Sequence, residues 1–120
     1  WKHTAAVLCA AASADGALIA SGCADGKARL LDAATGTVKA ELTHPGRVLA
    51  VAWRPGGKQF ATACSDGGVR LWTADGKAVY TRLHRAAVVH LAFSPDGSKL
   101  ASSSDDHSAH VWNVEDGIQM

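Results

Sequence analysis

The sequence predicts an all-β protein of propeller type, about three four-stranded antiparallel blades in all, and three observations predict it. Turn signals arrive about every ten residues: Asp-Gly pairs stand at 15–16, 25–26, 66–67, 75–76, 96–97 and 116–117, with Thr35-Gly36 and Pro55-Gly56-Gly57 among them. The runs between these signals centre on Val, Ile, Leu, Phe or Trp and are too short for an ordinary helix. The chain also repeats, because His3, His44 and His84 recur at intervals of 41 and 40 residues. A period near 40 with four strand-like runs per unit points to propeller blades.

In the first unit, 1–43, "VLCAAAS" (7–13), "LIASGC" (18–23) and "TVKAELT" (37–43) are strand-like, and the register places a further run around Leu30. The second unit, 44–83, holds runs at 47–54, 58–64, 68–73 and 77–83. In the third, 84–120, "VVHLAFS" (88–94) leads into the turn "SPDG" (94–97), where Pro95 presets φ and Gly97 accepts a positive φ. "GIQM" at 117–120 is expected to begin a fourth strand, and Trp1 and Lys2 to end one. Three positional sets then coincide: Val7, Val48 and Val88; Ala20, Ala61 and Ala101; Leu30, Leu71 and Val111. Alanine, about a fifth of the chain, would favour helix by propensity, but the punctuation overrides it.

Composition narrows the function classes. Twelve Lys and Arg stand against eleven Asp and Glu, scattered rather than massed, and the mildly basic middle has no aromatic platform, so no nucleic-acid partner is expected. No apolar run approaches the roughly 18 residues of a membrane span, and no membrane partner is expected. Cys9, Cys23 and Cys64 are odd in number and lack a C-x-x-C pair, which predicts free thiols packed as small apolar groups, an intracellular, cytoplasmic location and no zinc site. No phosphate-cradling glycine motif is present, and no cofactor is expected.

The repeat also superposes polar groups: Ser21, Thr62 and Ser102; Asp25, Asp66 and Asp106; Leu31, Trp72 and Trp112. With these in register, "WRPGGKQFATACSDGGVRLWT", "FSPDGSKLASSSDDHSAHVWN" and the weaker "AASADGALIASGCADGKARLLD" together resemble the WD40 repeat family. The resemblance covers essentially the whole chain. It implies a hydrogen-bonded tetrad in each blade: His44, Thr62, Asp66 and Trp72 in one, and His84, Ser102, Asp106 and Trp112 in another. The first unit offers His3, Ser21 and Asp25, with Leu31 where Trp is usual, and the Trp-Asp dipeptide itself occurs nowhere. In physical terms, the Asp carboxylate is expected to accept from the His ring, whose other nitrogen reaches a hydroxyl shared with the indole N–H.

Ser, His and Asp together invite a hydrolase reading of "SSSDDHSAHVW" (102–112). A triad needs one copy beside an oxyanion hole, whereas this trio recurs three times and has no G-x-S-x-G elbow. No catalytic residue is expected. His107 and His110, three apart along turn and strand, point to opposite faces, which disfavours a metal clamp. They and His90 are expected at the surface or rim. His107 stands where Gly is usual, and His110 where the other units carry Arg29 and Arg70.

The resemblance further implies a rigid platform for proteins, with contacts at one rim. By position these are Ala6, Leu8, Ala24, Arg47, Leu49, Ser65, Ala87, Val89 and Asp105. An apolar rim whose charges are Arg47 and Asp105 suits a protein or peptide partner better than a phosphate backbone. The expected function is therefore a non-catalytic interaction scaffold in a larger intracellular protein or complex. Two alternatives remain: a structural building unit of a large cytoskeletal or ciliary assembly, and part of a propeller enzyme whose active site lies outside this window. Three blades leave two apolar faces bare, so further blades are expected, from the same chain or from other copies.

Overall fold

A computed structural model describes residues 6–56 and 58–118. Eleven strands run through them: β1 (Val7–Ala12), β2 (Leu18–Cys23), β3 (Lys27–Asp32), β4 (Val38–Thr43), β5 (Val48–Trp53), β6 (Gln59–Cys64), β7 (Gly68–Thr73), β8 (Ala78–Leu83), β9 (Val88–Phe93), β10 (Lys99–Ser104) and β11 (Ala109–Asn113). No helix occurs among the described residues. The second unit's strands fall within one residue of the runs read from its turn signals, because each Gly turn takes up the positive φ that ends a strand.

The strands form three antiparallel meanders, ordered β1-β2-β3-β4, β5-β6-β7-β8 and β9-β10-β11. Sheets of this kind bury both faces only by stacking, and they do stack. Ala20, Ala28, Leu30 and Leu42 of the first sheet meet Val48, Phe60 and Trp72 of the second. Ala61, Ala63, Val69 and Leu71 of the second meet Val88, Leu100 and Val114 of the third region. The small side chains of Ala20, Ala28, Ala61 and Ala63 let the large side chains of the next sheet approach. Cys23 and Cys64 lie fully buried and unbridged, and Cys9 is half-buried.

Polar ties lock the same seams. Trp53 Nε1 donates to the Ala11 carbonyl at 2.9 Å, and Tyr80 Oη to that of Val114 at 2.8 Å. Arg54 spans from the second sheet to Gly97 O at 2.8 Å and Glu115 at 2.7 Å. Backbone passes from seam to seam as well: His44 N–H donates to Gly26 O and His84 N–H to Gly67 O, both at 2.8 Å. β5 packs between β1 and β9, so the first strand of each sheet lines the inner side of the stack.

Candidate interaction rim and its hydrogen-bond networks

A single hydroxyl organises each network. In the second sheet, Thr62 Oγ1 accepts from Trp72 Nε1 at 2.9 Å and sits 2.8 Å from His44 Nε2. His44 Nδ1 lies 2.9 Å from the Leu42 carbonyl, which can only accept, so Nδ1 carries the proton and Thr62 donates to Nε2. All three side chains are buried, and burial holds the His44 pKa below its ordinary value.

Asp66 and Asp106 depart from the expected direct contact with His. Asp66 instead takes Arg70, with Nη2 to Oδ2 at 2.9 Å and Nη1 to Oδ1 at 3.3 Å, together with the Gly68 N–H at 2.8 Å. A guanidinium offers a charged fork that an imidazole does not, and it lies four residues along the same hairpin. Arg70 beside it pulls the Asp66 carboxyl down to about 2. The first sheet repeats the arrangement: Arg29 Nη2 meets Asp25 Oδ2 at 2.9 Å, and Glu41 joins Arg29 at 3.3 Å. Ser21 is buried there, half-buried Leu31 takes the tryptophan position, and His3 lies outside the described residues.

The third sheet closes the network by a different route. Trp112 Nε1 donates to Ser102 Oγ at 2.9 Å, and Ser102 Oγ lies 2.7 Å from His84 Nε2. His84 Nδ1 lies 3.3 Å from Ser108 Oγ, which donates to Asp106 Oδ1. Donors therefore point one way along the chain, from indole to carboxylate. His110, in the register position of Arg29 and Arg70, stacks on His84 with ring centroids 4.1 Å apart. It is half-buried rather than a free surface histidine. Its Nδ1 is buried without a hydrogen-bond partner. Only the replacement of Arg by His in this register marked the spot in the sequence.

Six of the nine positions expected at the rim come together in pairs. Backbone bonds of 2.9, 2.8 and 2.9 Å join Ala24 to Ala6, Ser65 to Arg47 and Asp105 to Ala87. Ser65 Oγ also accepts the Arg47 N–H at 2.9 Å. Leu8, Leu49 and Val89 share a feature invisible in composition: each is the residue skipped where the first strand of its sheet shifts register. A bulge turns its extra residue out of the ladder and re-aims the side chain. Leu8 is exposed, Leu49 and Val89 are half-buried, and the Arg47 and Asp105 side chains face solvent.

The family model described as "WD domain, G-beta repeat" matches residues 2–32, 36–73 and 76–113. The chain belongs to the WD40 family. The second and third matched units each start on or just before the last strand of one sheet and end with the third strand of the next, so a repeat straddles a seam. Among curated relatives, Coronin-7 of Mus musculus is 39% identical over 56 residues, which is 46% of this chain and 6% of that protein. Two solved structures, "Structure of U3-55K" and "Crystal structure of RRP9 WD40 repeats", each superpose with a TM-score of 0.95 at 26% identity. Each match covers 100% of this chain and 39% of theirs, so the chain spans well under half the length of these relatives.

Proposed function

We propose that this WD40 chain is a non-catalytic protein-interaction scaffold that reads a protein or peptide partner at the rim formed by Ala6, Leu8, Ala24, Arg47, Leu49, Ser65, Ala87, Val89 and Asp105. The observation that carries the reading is the bulge repeated at Leu8, Leu49 and Val89, next to the paired positions Arg47/Ser65 and Ala87/Asp105. Three re-aimed apolar side chains beside two exposed charges of opposite sign make a small apolar centre with a polar edge, the usual anatomy of a protein contact. The polar tetrad atoms are engaged in holding strands, which supports a platform over a hydrolase. The buried thiols of Cys23 and Cys64 support an intracellular setting.

Further blades complete the unit. Ala101 is exposed although its equivalents Ala20 and Ala61 are fully buried, and Val111 is 43% exposed where Leu30 and Leu71 are 1%. A following sheet on this face would restore the seam seen twice within the chain.

Arg47→Glu and Asp105→Lys test the rim. Each is expected to weaken capture of the partner identified by crosslinking the native protein, while the melting temperature stays within about 3 °C. Unfolding of both variants, or partner crosslinks confined to the opposite edge, would overturn the assignment.

A further inference from the structure

The first two sheets differ at their outermost strands. β4 and β8 each end a four-stranded sheet, and no described strand pairs with their far edges. Their pairing with β3 and β7 matches them position by position: Lys39 with Val79, Glu41 with Thr81 and Thr43 with Leu83. In β4 these exposed positions are polar, and Glu41 is tied to Lys27 at 3.5 Å and to Arg29 at 3.3 Å, a charged edge of the kind that resists a further strand. In β8 they are Val79, 44% exposed, Thr81, and Leu83, 66% exposed. Thr43 is likewise exposed although the sheet that follows it has all four strands, so an open side chain at this position belongs to the repeat itself.

Backbone and charge at this edge both invite a partner. His84 N–H donates to Gly67 O at 2.8 Å, and antiparallel pairing alternates, so Arg82 and Tyr80 also turn their backbone groups toward β7 while Thr81 and Leu83 turn theirs outward. Residues 76–85 include Lys77, Arg82 and Arg85 and no acidic residue. No ion pair engages any of these three cations among the described residues, and neighbouring Asp75 is taken by the Thr73 hydroxyl. Arg82 donates to carbonyl oxygens instead, those of Gly117 at 2.6 Å, Thr81 at 2.9 Å and Asp116 at 3.4 Å. Its contact with Thr81 sets a cation on the edge and leaves that carbonyl a second lone pair for an incoming N–H.

We propose that the outer edge of β8 receives an extended segment of a protein partner as a fifth strand, with apolar or β-branched residues at its centre and carboxylates at its ends. Thr81 and Leu83 supply the backbone pairing, and Val79, the residue skipped where β8 shifts register, adds side-chain contact. Lys77 and Arg85, exposed at the two ends of the strand, meet the carboxylates. The distance between them, about 26 Å at roughly 3.3 Å per residue, calls for a segment of about nine residues. A second copy of β8 fits poorly, because an antiparallel pair centred on Thr81 sets Lys77 opposite Arg85, and like charges directly opposite are destabilising. This edge lies on the perimeter, apart from the rim of Leu8, Leu49 and Val89 on the inner strands.

The test titrates the intact protein with the capped peptide Glu-Glu-Val-Thr-Val-Thr-Val-Glu-Glu, followed by amide NMR shifts, hydrogen exchange and fluorescence anisotropy. Binding is expected to shift the amides of Thr81 and Leu83, to slow their exchange, and to weaken as salt rises. A peptide with lysine in place of every glutamate should bind at least about tenfold more weakly, and one with proline at the central valine should not bind. The double variant Val79→Lys, Leu83→Thr gives β8 the side chains of β4, and Thr81→Glu adds its carboxylate. Each should weaken binding about tenfold or more while the melting temperature stays within about 3 °C, since all three side chains face solvent. Equal binding of the lysine peptide, undiminished binding by the double variant, shifts confined to Leu8, Leu49 and Val89, dimers of the unliganded protein joined through β8, or no binding at all would each overturn the proposal. The rim variants of Arg47 and Asp105 leave this edge intact, so the two readings stand or fall separately.

Discussion

His110 lies against His84 with ring centroids 4.1 Å apart and planes 30° from parallel, in the place where two sister repeats put an arginine over an aspartate. Burial chiefly, and then the neighbouring His110, hold the His84 pKa below its usual 6.5. A histidine whose folded pKa is depressed contributes stability that is present above the unfolded value and lost as pH falls through the folded one. His44, buried in the second sheet, has the same sign. Urea midpoints measured from about pH 7.5 to about pH 5 should therefore fall on acidification, well before carboxylates titrate. A flat profile over that window would show that neither ring is held neutral by the fold.

Thr62→Val isolates the shared hydroxyl. The substitution keeps shape but removes the group that meets both His44 Nε2 and Trp72 Nε1, leaving a buried indole N–H without an acceptor. A loss of about 2–4 kcal/mol is expected by chemical denaturation, with the m-value unchanged. Ser102→Ala in the third sheet should cost somewhat less, because the shorter chain vacates space for water.

Asp66→Asn probes the pair that displaced the expected His contact. The carboxyl, held at about 2 against an ordinary 3.8, contributes stability that is present above 3.8 and lost as pH falls through about 2. The variant should be destabilised by roughly 1–2 kcal/mol at neutral pH, since the pair is partly open to solvent, and the gap from wild type should close in acid. A gap that persists at the acid end would assign the loss to packing rather than charge.

Gly67→Ala reports on how closely the sheets approach. Gly67 adopts φ +91, and a Cβ there would lie 2.6 Å from the His84 carbonyl oxygen of the next sheet. Left-handed strain and backbone contact act together, so a loss of about 2 kcal/mol or more is expected, with a drop in melting temperature. At the equivalent turn of the third sheet His107 adopts φ 69.

Much of this was legible before any coordinate. Asp-Gly turns at regular spacing specify hairpins because Gly supplies the backbone angle a tight turn needs, and the 41- and 40-residue intervals align the buried set Val48/Val88, Ala20/Ala61 and Leu30/Leu71. The Ser/Thr, His and Trp members of the network were legible too, since they recur together. The partner of the aspartate was not. Arg70 and His44 are both plausible donors to Asp66, and only the direction of each side chain decides between them.

The amino-acid order alone thus determined the antiparallel hairpins and the register period, because those follow from local backbone chemistry and from a pattern written three times. Tertiary structure decided the rest. It decided that Leu8, Leu49 and Val89 are bulged, because a one-residue slip between paired strands leaves no mark in composition. It decided that Asp25 and Asp66 hold arginines while Asp106 closes on Ser108, because that outcome depends on the reach of a side chain across a turn.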